Sequence, residues 1–93
     1  MNAPHKTDNL TVHHKVKDYA AWRTGYNAHE TSRTSAGITN GRVFRSAEDP
    51  NDVLVLLDVA DVAKARTWLG SEDLKAAMQK SGVVGSPSIR FAA

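Results

Sequence analysis

Two histidines, His14 and His29, are the groups in this 93-residue chain best placed to move a proton near neutral pH. An imidazole titrates near pH 6.5, so it can act as acid or base without a metal. His14 lies in the stretch LTVHHKV beside His13. Neighbours in a strand point to opposite faces, so the pair cannot share one metal ion. His14 has the parity of Leu10, Val12 and Val16, the apolar set. His13 has the parity of Thr11 and Lys15, which face a partner subunit or solvent. His29 follows Trp22 and Tyr26 at helical spacings of seven and three, which puts all three on one stripe over the sheet. Each histidine also has a bland alternative. His14 can be a core residue bonded to backbone or water, and His29 a half-exposed residue at a helix C-terminus.

Trp22 and Tyr26 offer flat apolar walls with a polar handle each, although an aromatic stripe at this spacing also suits plain core. Tyr26, one turn from His29, is the better placed to hydrogen-bond a ligand oxygen. Trp68 reads as packing a second helix onto the sheet. Arg33, Arg42 and Arg45 are the cations near the end of the first helix and the second strand. Arg42 shares a face with Phe44, and Val43 with Arg45, so one set at most looks inward. An anionic substrate would suit such an arginine, whereas a solvated edge arginine would discourage aggregation. Asp58 reads as paired or at the rim. The absence of cysteine excludes disulfides, thiolate metal sites and a cysteine nucleophile. No glycine-rich phosphate loop, nucleophile elbow or zinc spacing occurs.

The elements that must carry these groups follow from the same residues. Residues 1–9 show no periodicity and read as an arm, leaving one domain over residues 10–93. A strand runs from Leu10 to Val16, and Asp18 caps a helix from Tyr19 to about Thr34, stopped at Gly37. Ile38–Ser46 is extended, Ala47–Asp52 is a turn, and Val53–Ala60 (VLVLLDVA) is apolar on both faces, as in a central strand. Asp61 caps a helix over Val62–Leu69, Ser71 caps another over Glu72–Lys80, Gly82–Pro87 is a loop, and Ser88–Ala92 is the last strand. The order β-α-β-β-α-β, with the second helix broken, predicts an α+β ferredoxin-like fold. Its four-stranded antiparallel sheet carries helices on one face. Helices for one face and an apolar strand for two predict a homodimer through the uncovered side. Twelve Lys and Arg against ten Asp and Glu, without clustering, argue against nucleic acid. No apolar run is long enough for a membrane, and the polar start lacks a secretory signal, so a cytoplasmic protein is expected.

Several stretches resemble the dimeric α/β-barrel superfamily of ferredoxin-like proteins, and within it small bacterial cyclase-like and antibiotic-biosynthesis-monooxygenase-like proteins. They are His14-Lys15-Val16-Lys17-Asp18-Tyr19 leading to Trp22, His29 with Arg33 and Gly37, Asp49-Pro50-Asn51, and VLVLLDV. Ser71-Glu72-Asp73-Leu74 with Met78, and Ser81-Gly82-Val83 before Pro87, complete the set. The resemblance implies sheets paired face to face and a ligand cleft between sheet and helices, within reach of His14 and His29. It implies a small cofactor-free enzyme, a cyclase, isomerase or monooxygenase, acting on a hydrophobic oxygenated molecule and needing no metal. His29 or His14 would take the proton, with Trp22, Tyr26, Arg33 and Arg42 binding substrate. The alternative is a non-catalytic small-molecule-binding or stress-response protein. Haem binding is the weakest reading, because the Asn, His and Trp set that accompanies it does not stand out here.

Overall fold

A computed structural model describes residues 8–92. Four strands, β1 (Asp8–Val16), β2 (Ile38–Arg45), β3 (Asp52–Val59) and β4 (Val83–Ala92), form one antiparallel sheet in the order β2-β3-β1-β4. Between β1 and β2 lie helices α1 (Tyr19–Ala28) and α2 (Glu30–Ser35). Between β3 and β4 lie α3 (Val62–Leu69) and α4 (Glu72–Lys80). This is the expected ferredoxin-like α+β fold.

Period-two patterning decides which side of the sheet is covered. In β1, Leu10, Val12, His14 and Val16 are buried, and in β3 so are Val53, Val55, Leu57 and Val59. Trp22 of α1 and Ala65 of α3 close over this face, which carries the core. The opposite face holds Thr11, His13, Leu54, Leu56 and Asp58, with Phe44 opposite Leu54 and Val84 opposite Lys15. Phe44 and Val84 are about half exposed, at 51% and 49%.

The helix starts follow their capping residues. The side chains of Asp18, Asp61 and Ser71 accept the backbone N–H groups of Ala21, Lys64 and Leu74. Gly37, at φ 77°, turns the chain out of α2 into β2, in the left-handed region that favours glycine. In the β2–β3 turn, Asp49 accepts the Asn51 N–H, and Asn51 in turn accepts the Tyr19 N–H and donates to the Lys17 carbonyl. That turn is thereby tied to the start of α1.

Three boundaries differ from the sequence reading by more than one residue. The first helix is not continuous to Thr34, because it breaks at His29 (φ −93°, ψ 7°), whose N–H is shared between the carbonyls of Gly25 and Tyr26. Asn27, Thr31 and Ser32 around the break are modest helix formers, so little resists it. The segment read as a loop before Ser88 is already strand, and β4 starts at Val83. Gly85 and Pro87 imitate a loop in sequence but sit in an irregularity at the sheet edge, where four residue steps of β4 (Val84 to Ser88) oppose two of β1 (His13 to Lys15). Finally, β1 begins at Asp8, opposite Val59, so Asp8 and Asn9 belong to the sheet, and the rest of the expected arm lies outside the described residues.

Candidate functional site

The space between sheet and helices is the candidate site. It encloses about 70 Å³ and is mainly apolar, with Leu10, Val12 and His14 of β1 on its floor. Trp22, Tyr26, His29 and Arg33 come from the first helical pair, and Trp68, Leu74 and Met78 from the second. Of the six residues expected at the site, the fold therefore brings five together: His14, His29, Trp22, Tyr26 and Arg33. Arg42 goes elsewhere. Its parity with Phe44 puts it on the uncovered face, where its guanidinium meets Asp58 at 3.5 Å. Asp58 is thus paired, as its position near the strand end suggested.

His14 is 6% exposed, and neither ring nitrogen has a hydrogen-bond partner. Burial pushes its pKa below the ordinary 6.5, neighbouring His13 adds to the effect, and Asp52 opposes it. The ring is therefore neutral at pH 7, with one N–H donor and one free lone pair. His29 likewise has a buried, unpartnered Nε2. The helix break at this residue sets its ring near Trp68, with centroids 5.9 Å apart, and the Trp68 indole donates to Ser32 Oγ at 2.8 Å. Trp68 therefore lines the cavity as well as packing its helix, a role its sequence position did not signal. The unpartnered nitrogens are the anomaly here, since buried polar groups are nearly always satisfied and each orphan costs about 1–3 kcal/mol.

The aromatic wall is a chain of ring contacts, with His14 tilted on Trp22 and Trp22 stacked on Tyr26. His14 and Trp22 have centroids 5.4 Å apart, Trp22 and Tyr26 5.0 Å apart with planes 26° from parallel, and the Arg33 guanidinium lies 3.7 Å from the Tyr26 centroid. Tyr26 presents its ring to the cavity, while its hydroxyl reaches β2 beside Gly41, where a Cβ would collide with that oxygen. The sequence did not reveal this use of Gly41, because the contact joins elements fifteen residues apart. Beyond Tyr26 and Arg33 lies an outer, polar hollow of about 290 Å³, lined by Arg23, Asn27, Glu30 and Asn40 among others.

Arg33 is only 9% exposed and forms no ion pair among the described residues. It donates to the Tyr26 carbonyl at 2.7 Å. Burial lowers its pKa, while Tyr26 and Glu30 act to raise it. A buried ion costs several kcal/mol. A hydrogen bond to a charged group returns about 1.5–3 kcal/mol and a desolvated cation–π contact about 2 kcal/mol, comparable to that cost, and no other Arg33 nitrogen is both buried and unpartnered.

The uncovered face has its own polar pair, His13 Nε2 with Asp52 at 2.5 Å, beside an open hollow bounded by Phe44, Leu54 and Arg90. Among the described residues no three His, Asp or Glu side chains are grouped to share a metal ion, and no helix is long and apolar enough to cross a membrane.

This arrangement of strands and helices recurs in solved structures. A proposed antibiotic biosynthesis monooxygenase from Bordetella bronchiseptica superposes with a TM-score of 0.79 at 15% identity, covering 94% of this chain and 95% of that one. The chain shares that fold. SnoaB, a cofactor-independent oxygenase from Streptomyces nogalater, gives a TM-score of 0.70 at 10% identity over 94% and 91% of the two chains. A proposed antibiotic biosynthesis monooxygenase from Nitrosomonas europaea gives 0.71 at 9% identity, over 100% and 94%. No family model and no curated protein sequence matches the chain. At such identities the likeness carries the ferredoxin-like fold and leaves the reaction to the site.

Proposed function

We propose that the chain is a small cofactor-free enzyme that removes a proton from a hydrophobic oxygenated molecule held in the sheet–helix cleft, with cyclisation, isomerisation or reaction with dioxygen as the outcome. The observation that carries this reading is the set of unpartnered imidazole nitrogens, both of His14 and Nε2 of His29, against one apolar cavity. A neutral imidazole there can accept a proton from carbon or a phenol, and the stacked Trp22 and Tyr26 rings hold a flat apolar body beside it. The fold shared with a cofactor-independent oxygenase supports the same class of chemistry. His29→Asn keeps approximate size and one donor but removes basicity. On a substrate turned over by the unaltered protein, it is expected to lower kcat about 10²–10⁴-fold with little change in Tm. Full activity would transfer the role to His14, and loss of stability alone in both histidine variants would favour a binding module.

The uncovered face supports a second part of the reading, a homodimer with sheets facing. Phe44 and Leu54, cross-strand neighbours, and Val84 farther along the sheet are exposed apolar side chains on this face that a partner sheet would cover. Light scattering at micromolar concentration is expected to report the dimer mass, and a folded monomer would refute it.

A further inference from the structure

Arg33 is a buried cation answered by no carboxylate among the described residues, and its place in the fold gives that fact a direction. It stands between two cavities. Together with Tyr26, Ile38 and Leu57 it lines both the inner apolar cleft and the outer polar hollow. Its polar and aromatic contacts are one carbonyl oxygen and one ring face, which leave most of its five N–H donors without a protein acceptor. The outer hollow is cationic on balance, with Arg23 and Arg33 against Glu30. Arg23 is also drawn to the Tyr26 ring, with its guanidinium 5.4 Å from the centroid, while donating to Asn27 and to the Tyr19 hydroxyl.

We propose that Arg33 binds the carboxylate of an amphipathic organic acid whose apolar body occupies the inner cleft and whose charged end lies at the junction with the outer hollow. The planar guanidinium fork matches a carboxylate in two parallel hydrogen bonds. A single negative charge suits one excess cation, whereas a phosphate dianion would place a second charge near Glu30. The two-part lining of the space, apolar inside and polar outside, has the same polarity sequence as such a ligand. Arg33 is then the specificity-determining residue of the cleft, and the histidines act on the other end of the molecule. This rests on the reading of the cleft as a ligand site.

The test uses two probes of the same shape, phenylacetate and its neutral amide, phenylacetamide, titrated into the full chain at pH 7. Trp22 and Trp68 both line the inner cavity, so their fluorescence reports occupancy. Phenylacetate is expected to bind about tenfold more tightly than the amide. That preference should fall to less than about twofold in Arg33→Met and survive in part in Arg33→Lys, which keeps the charge without the fork. Both variants are checked for native circular dichroism, and Arg33→Gln serves if one of them does not fold. Equal binding of the two probes, or a carboxylate preference that survives Arg33→Met, overturns the proposal while leaving the cleft a ligand site. Failure of both probes to bind at millimolar concentration overturns it together with the cleft reading.

Discussion

Replacing His14 by phenylalanine tests whether the cleft keeps an unsatisfied imidazole at a cost in stability. The native ring is 6% exposed with neither nitrogen bonded, so the substitution removes an orphaned donor and an orphaned acceptor. Phenylalanine keeps the tilted ring contact with Trp22, and the adjoining space takes its extra bulk. With orphans costing about 1–3 kcal/mol, part of it offset by repacking, a net gain of about 1–2 kcal/mol is expected at pH 8. In a domain of this size that raises Tm by roughly 5–10 °C. The pH dependence sharpens the test. His14 has a folded-state pKa below 6.5, so as pH falls through 6.5 the unfolded chain takes up a proton that the folded chain resists. This stability is fully present above the unfolded pKa and is lost as pH falls toward the folded one, at up to about 1.4 kcal/mol per pH unit. His14→Phe lacks that loss, so its advantage over the unaltered protein should be larger at pH 5.5 than at pH 8. Thermal unfolding at fixed protein concentration measures both. A variant less stable at pH 8, or one whose advantage does not change with pH, would refute the argument.

Three further outcomes are expected. Gly41→Ala drives a Cβ onto the Tyr26 hydroxyl and should cost about 1–3 kcal/mol by overpacking, most of it recovered in the double variant with Tyr26→Phe, as a double-mutant cycle in urea would show. Leu54→Asp puts a charge in the centre of the uncovered face and should yield a folded monomer by light scattering, with the dimer reading refuted if the mass is unchanged. Trp68→Phe removes the 2.8 Å bond to Ser32 and should cost about 1 kcal/mol, with a chemical-shift change at the His29 ring in NMR spectra.

The architecture was legible because its signals are local and periodic. Alternation in LTVHHKV and VLVLLDV assigned the covered face, including His14, and Asp18, Asp61 and Ser71 announced their helices by capping chemistry. The same parity argument separates Arg42 from Arg45, and the structure sends Arg45 to the Tyr19 ring on the covered side, 3.8 Å from its centroid. What sequence concealed depends on contacts between distant elements. The Tyr26 hydroxyl was expected at a ligand, but its direction is set by Gly41 across on β2. Trp68 looked like packing alone because its neighbour His29 lies far away in the chain. The first half of β4, before Ser88, escaped because Gly85 and Pro87 carry loop chemistry inside an edge strand.

The break at His29 gives the two histidines unequal mechanical standing. His14 lies in an inner strand, opposite Val53 of β3, and faces the β4 irregularity between His13 and Lys15 on its other side. His29 occupies the one-residue joint between a ten-residue and a six-residue helix, where its N–H is divided between two carbonyls. A small rotation of α2 about that joint would re-aim the His29 ring while Trp22 and Tyr26 stayed in place on α1. On the proposed function, substitutions at the exposed α2 positions Glu30, Thr31, Thr34 and Ser35 would then retune His29 while Arg33, Trp22 and Tyr26 kept their identities. On the same proposed function, such a division would let one scaffold drift between substrates of different outline while the strand-borne imidazole kept its place.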